Sequence, residues 1–174
     1  MHAALPYESG GRDLVLAYKD HGNRALAPML GTLLADAIDD ALSARGLAVA
    51  QIVPVPPHPG SERGFDAVSG ILRGARRELL ERGLAVRTVR PVRACGRVRM
   101  MKSLSGQERR RQADALFRPS RFRAVAADPP VVVVDDVITT GSTVEAMRSV
   151  LAAMGATVVA AAAVAAVGRP DQPG

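Results

Sequence analysis

The sequence predicts an α/β fold: a parallel central sheet flanked by helices. Three observations lead there. The candidate strands AVAQIVPVP, VVVV and TVVAAAA are nearly continuous apolar runs rather than alternating ones, as strands buried on both faces are. They alternate along the chain with segments of helical period, which is the pattern of strand-helix-strand crossovers. Aromatics are only 3% of 174 residues and Trp is absent, so Val, Leu, Ala, Ile and Met must build the core. With 48% hydrophobic content, that length suits one domain over residues 1–174, ending in a flexible tail at 168–174.

The elements follow in order. A short helix is expected over Asp13 to Lys19. A longer one runs through ALAPMLGTLLADAIDDAL, where Leu26, Met29, Leu30, Leu33, Leu34, Ala37, Ile38, Ala41 and Leu42 recur with helical spacing behind Asn23 as a cap. AVAQIVPVP reads as a strand ending at Pro54, since proline cannot donate into a central ladder. From Asp66 to Glu81 the period is helical again, with Val68, Ile71, Leu72, Ala75, Leu79 and Leu80 inward and Gly83 as the stop. Ala85 to Val92 reads as a strand, GRVRMMKSLSGQ as a mobile loop, and Gln107 to Leu116 as a short helix. VVVV is a strand and Ser142 to Met154 a helix with Val144, Met147, Val150, Leu151 and Met154 inward. Gly155 stops that helix, and Thr157 to Ala163 is a further strand.

The totals exclude several classes. No apolar run reaches the roughly 18 residues of a membrane span, and the N-terminus has no charged-then-apolar leader pattern, so a cytoplasmic protein is expected. The single Cys95 excludes an intrachain disulfide and reads as an inert side chain near a strand end. The formal charge of +6 is unevenly spread: 17 of the 23 basic residues lie between Ser61 and Arg123, against 6 of the 17 acids. Such a field favours polyanions, either nucleic acid or small phosphorylated ligands, although runs such as Arg109, Arg110 and Arg111 also suit a solvated helix face.

The stretch that carries chemistry is VVVVDDVITTGSTVEAMRS. Asp135 and Asp136 fall at the carboxyl end of a strand, where open parallel sheets bind ligands. Thr139, Thr140, Gly141, Ser142 and Thr143 lie between that strand and the next helix, so their N–H groups can converge on an anion at the helix N-terminus, and the hydroxyls add donors. Plain helix capping is the simpler reading, and Ser142 with Glu145 fits a capping box. Capping does not account for four hydroxyls and paired acids. A phosphate in the loop, with the two carboxylates accepting from sugar hydroxyls or holding a divalent cation through water, does. The implied ligand is a ribose phosphate. The chain has no GxxxxGK[ST] P-loop and no GxGxxG after its first strand.

VVVVDDVITTGST resembles the ribose-phosphate signature of the type I phosphoribosyltransferases, which bind phosphoribosyl pyrophosphate (PRPP) with Mg²⁺. YKDHGNRALAPMLGTLLADAI, IVPVPPHPGSERGFD and LSGQERRRQADALF are similar, in order and spacing, to the ComF branch associated with competence. The resemblance implies a type I phosphoribosyltransferase-like fold with a small hood. It implies Asp135 and Asp136 as the acids near ribose hydroxyls and Mg²⁺, and Thr139 to Thr143 as the 5′-phosphate loop. Arg63 would lie at the pyrophosphate side, with a surface arginine as the alternative. Hypoxanthine and guanine enzymes of this family carry an Asp at the position of Thr139, which argues against that substrate class.

Displacement at the anomeric carbon develops positive charge while pyrophosphate leaves, so Mg²⁺ and cationic side chains should neutralise the leaving group. Arg97, Arg99 and Lys102 stand in the expected mobile loop, as a closing lid would or as a solvated basic loop would. Lys19 and Tyr18 are expected to line the hood. Three functions follow: a transferase that moves ribose 5-phosphate to a nitrogenous acceptor, a non-catalytic PRPP- or nucleotide-binding protein serving DNA uptake or regulation, and a nucleic-acid module. The last is weakened by the scarcity of aromatic stacking platforms. A homodimer is the assembly that the commonest oligomer symmetry suggests.

Overall fold

The computed structural model describes residues 1–57, 66–95, 116–121 and 124–168. In chain order the elements are β1 (His2–Pro6), α1 (Arg12–Lys19), α2 (Ala27–Ser43), β2 (Val49–Pro54), α3 (Ala67–Glu81), β3 (Ala85–Thr88), β4 (Val92–Ala94), β5 (Phe117–Pro119), β6 (Val131–Ile138), α4 (Ser142–Ala153) and β7 (Val158–Ala166). Five strands form the central sheet in the order β1-β7-β6-β2-β3, and every pair is parallel. β4 and β5 make a separate antiparallel pair. The α/β architecture with helices on both faces of a parallel sheet is therefore the one expected.

The sheet divides two cores. On one face Val132, Val134, Ala162 and Val164 meet α1, α2 and α3 through Tyr18, Leu34, Ile38 and Ile71. On the other, Val131, Val133, Ala161 and Ala163 meet Met147 and Leu151 of α4, with Phe117 and Val92 of the small sheet closing the layer. Both faces of β6 are thus apolar, which is why its first four residues can all be valine. Among the described residues no helix is long and apolar enough to cross a membrane.

α2 and α3 cross at glycines. A Cβ at Gly31 would stand 3.0 Å from the backbone of both Gly74 and Ala75. These are main-chain atoms of a facing helix and cannot swing aside. Gly31→Val is therefore expected to lower stability by about 2–4 kcal/mol, read as a drop in the urea midpoint with unchanged slope.

Several boundaries differ from the sequence reading. β1 was not expected; it is a five-residue edge strand that pairs only with β7, too short to announce itself by period. The single strand expected over Ala85 to Val92 is two, because Pro91 has no N–H to continue a ladder and the chain passes from the central to the small sheet there. β6 runs on to Ile138 and β7 to Ala166, paired with each other through Asp135↔Ala163 and Ile138↔Ala166. Asn23 precedes a short 3-10 turn and makes no side-chain cap; α2 begins after it with Pro28 in the first turn, where the missing N–H costs nothing.

Met29 is 47% and Leu80 48% exposed, although both fit the apolar period. Each adjoins a fully buried Leu30 or Leu79, and neighbouring helix positions about 100° apart cannot both face the sheet. The expected basic loop, the Gln107–Leu116 helix apart from Leu116, and most of the tail lie outside the described residues.

The topology also locates a site. From β2 the chain passes through α3 to β3 on one side; from β6 it passes through α4 to β7 on the other. Right-handed crossovers running in opposite directions put α3 and α4 on opposite faces. A crevice therefore opens beyond the carboxyl ends of the adjacent strands β2 and β6, the switch point of the sheet.

Candidate functional site

A cleft of about 370 Å³ occupies that position. Its floor comes from Val55, Pro56 and Pro57 after β2, and from Asp135, Asp136 and Val137 in β6. β2 pairs with β6 only as far as Pro54↔Val134, so the next residues of β6, the two acids, lose their neighbour on that side and open to the cleft. The apolar alternation of β6 inverts at the same place. Val131 and Val133 belong to the second core and Val132 and Val134 to the first, but past the acids Val137 packs on the first and Ile138 on the second. Strict alternation would send adjacent carboxyls to opposite faces; at this inversion both line one cleft.

The two acids differ. Asp136 is 4% exposed, and its Oδ2 lies 2.6 Å from Lys19 Nζ. Its backbone N–H donates to Asp135 Oδ1 at 2.9 Å. The Asp135 carboxyl is pushed up from 3.8 to about 7, first by burial and then by the charge of Asp136, against the smaller opposing effects of that N–H and of Lys19. Burial penalises this carboxylate until a donor or a cation arrives.

Lys19 comes from the last turn of α1. That helix is held by its buried Val15 and by Tyr18, whose hydroxyl donates to the Ala67 carbonyl at 3.4 Å beneath the N-terminus of α3. Burial raises the Tyr18 pKa, with Arg73 and Arg24 opposing. Of the two residues expected in the hood, Lys19 lines the cleft; Tyr18 lies 2% exposed beneath it and anchors α1 instead.

The hydroxyl loop follows β6. Gly141 is the N-cap of α4, with φ +72°, and the Ser142 N–H that follows it donates to Thr140 Oγ1 at 3.4 Å. The capping box drawn from Ser142 and Glu145 sets the N-cap one residue late: Ser142 is already inside the helix, and the Glu145 N–H donates to the Gly141 carbonyl at 2.9 Å. Thr140 and Ser142 hydroxyls bond each other at 2.7 Å, which shapes the turn. Thr139 and Thr143 line the cleft, and the first turn of α4 has N–H groups with no intrahelical acceptor. With the positive end of the helix dipole, the turn offers the kind of donors that an anion needs.

Sequence reasoning missed part of the wall. Tyr7, Arg12 and Leu16 line the cleft from the turn before α1 and from α1 itself, forming a small hood. Asp66 lines the far side; its Oδ1 caps α3 by accepting from the Ser69 N–H at 2.9 Å, and Arg90 donates to the Ser69 hydroxyl at 2.6 Å. Asp66 was legible as a cap, since it precedes an apolar helical run. Tyr7 and Arg12 had no such signal, because they reach the site through β1. Arg63, Arg97, Arg99 and Lys102 lie outside the described residues.

The donor set suits Mg²⁺. Among the described residues no three His, Cys, Asp or Glu cluster to hold a metal alone. Mg²⁺ keeps several waters and is commonly bound through one or two carboxylates plus a ligand's phosphates, which is what Asp135 and Asp136 beside an anion loop could share.

Comparison with known proteins agrees with this geometry at the end of the chain that carries it. Residues 98–173 match the family model described as phosphoribosyl transferase domain; their described part contains β5, β6, the hydroxyl loop, α4 and β7. No curated protein matches the sequence. An adenine phosphoribosyltransferase structure is 22% identical, with 80% of this chain and 71% of that one covered at a TM-score of 0.48. The Saccharomyces cerevisiae adenine phosphoribosyltransferase, complexed with an imino-altritol bisphosphate and adenine, is also 22% identical, covering 80% and 70% at 0.45. The Trypanosoma cruzi hypoxanthine phosphoribosyl transferase is 11% identical, covering 84% and 76% at 0.47.

Proposed function

We propose that this chain binds PRPP with Mg²⁺ and transfers ribose 5-phosphate to a nitrogenous acceptor, releasing pyrophosphate. The observation that carries the reading is the continuous unit of β6, its two acids, the Gly141 turn and the α4 N-terminus at the switch point of a parallel sheet. The match of residues 98–173 to the phosphoribosyl transferase domain model supports it.

In this reading the 5′-phosphate sits against Thr139, Thr140, Gly141, Ser142 and Thr143. The ribose hydroxyls donate to Asp135 and Asp136, which relieves the desolvated Asp135 carboxyl. The acceptor nitrogen attacks the anomeric carbon as the bond to pyrophosphate breaks, its electron pair leaving with the pyrophosphate and the acceptor's proton passing to solvent or a neighbouring base. Mg²⁺ would supply charge neutralisation for the departing pyrophosphate. Arg63, Arg97, Arg99 and Lys102 are proposed to assist it. Tyr7, Arg12 and Leu16 are the wall open to the acceptor, next to Val137 and Thr139. A threonine there rather than an acid disfavours acceptors of the hypoxanthine and guanine type. The ComF-like segments support the second reading, PRPP or nucleotide binding without transfer in the service of DNA uptake or regulation.

Titration of PRPP with and without Mg²⁺, followed by pyrophosphate release across a panel of nitrogenous bases, tests the proposal. Mg²⁺-dependent PRPP binding with release on at least one base is the expected result. Binding without release on any base would support the non-catalytic reading. Failure to bind PRPP, together with DNA binding that falls steeply with salt, would replace both by a nucleic-acid function.

A further inference from the structure

We propose that Lys19 is a positioning residue that neutralises Asp136 and keeps free Mg²⁺ off the acid pair, so that the metal enters only together with the pyrophosphorylated sugar. The inference rests on the function proposed above but is read from a different contact. The Lys19 ammonium lies 2.6 Å from Asp136 Oδ2, and the side chains are 23% and 5% exposed. A pair this shielded from water is far less screened than a surface salt bridge, and the charge on Asp136 is already answered.

The lysine is held in place. It ends α1, where the carbonyl end of the helix favours a cation. α1 is fixed beneath by Val15 and by the Tyr18 hydroxyl on the Ala67 carbonyl, so the ammonium is carried by a packed helix rather than by a free loop. With Asp136 matched, at most one formal negative charge remains on the acid pair, and among the described residues no further acid joins it to form a three-ligand cluster. Mg²⁺ gives up its water reluctantly and demands near-octahedral oxygen ligands. One residual carboxylate does not meet that demand; a pyrophosphate and two ribose hydroxyls do. Lys19 thus separates the acids' work of orienting the sugar from that of holding the metal.

The test uses MgCl₂ alone, without PRPP. Thermal shift and calorimetry should show no response of the wild-type protein to millimolar MgCl₂. Lys19→Met should acquire a Mg²⁺-dependent stabilisation, with an affinity at least about tenfold above wild type, while Lys19→Arg, which keeps the charge, should behave as wild type. Identical Mg²⁺ responses in wild type and Lys19→Met overturn the proposal. If Lys19→Met does not fold, a Mg²⁺-dependent shift in the wild type or in Lys19→Arg overturns it, and silence in both supports it. PRPP binding is measured separately: its absence overturns the function proposed above and leaves the Mg²⁺ comparison readable.

Discussion

Asp135→Asn should bind PRPP at least about 100-fold more weakly than wild type and yet melt higher when no ligand is present. The two effects have one cause. Burial and the adjoining Asp136 push the Asp135 carboxyl up from 3.8 to about 7, so at neutral pH and above the folded protein carries a penalised carboxylate that asparagine removes. The gain is expected to be on the order of 1–2 kcal/mol, or roughly 2–8 °C in Tm.

The sign in pH follows. Between about 4 and about 7 the folded state keeps a proton on Asp135 that the unfolded chain has lost. The unliganded wild type should therefore lose stability as pH rises through that window, and Asp135→Asn should show a flatter profile. Asp136→Asn should behave oppositely in stability, since it strands Lys19 beside a buried amide. Calorimetric PRPP titration and melting curves from pH 4 to pH 8 read both halves. Unchanged PRPP affinity in the double variant with Asp135 and Asp136 both changed to Asn would falsify the assignment of the acid pair.

Gly141→Val should be the most damaging single change in the hydroxyl loop, the proposed phosphate site. Gly141 has φ +72°, a region that costs a residue with a side chain roughly 1–2 kcal/mol, and a β-branched one at least that. The chain can relieve the strain only by rebuilding the turn that starts α4 and that holds the Thr140 and Ser142 hydroxyls 2.7 Å apart. PRPP affinity is expected to fall by about 50-fold or more. Loss of stability should be modest, because the loop contributes nothing to either core. A variant that keeps PRPP affinity while losing stability would place the phosphate elsewhere. Inorganic phosphate and ribose 5-phosphate, titrated separately, distinguish loss of the cradle from loss of the sugar contacts.

Much of the site was legible before folding because it is local. Strand, acids, glycine and helix are consecutive from Val131 to Ala153, so their order alone implies an anion-binding turn at a strand's end. The parts that were not legible are those the chain brings from afar. Lys19 is more than a hundred positions from Asp136 in sequence, and only the docking of α1 on α3 through Tyr18 and Ala67 puts the two in contact. The start of α4 is a similar case: Ser142 and Glu145 have the spacing of a capping box, the alternative to an anion site, but Gly141 in its left-handed conformation starts the helix one residue earlier.

The architecture and the expected chemistry of one turn are written along the chain, because apolar runs, helical periods and the DDVITTGST order depend on sequence neighbours. How two adjacent like charges coexist depends on the folded arrangement. The strand's alternation inverts across them, β2 ends before them, and a lysine from a distant helix answers Asp136 while burial holds Asp135 near neutrality. Charge in a crevice is set by which groups surround it in space, and that is settled only when the sheet and its helices close.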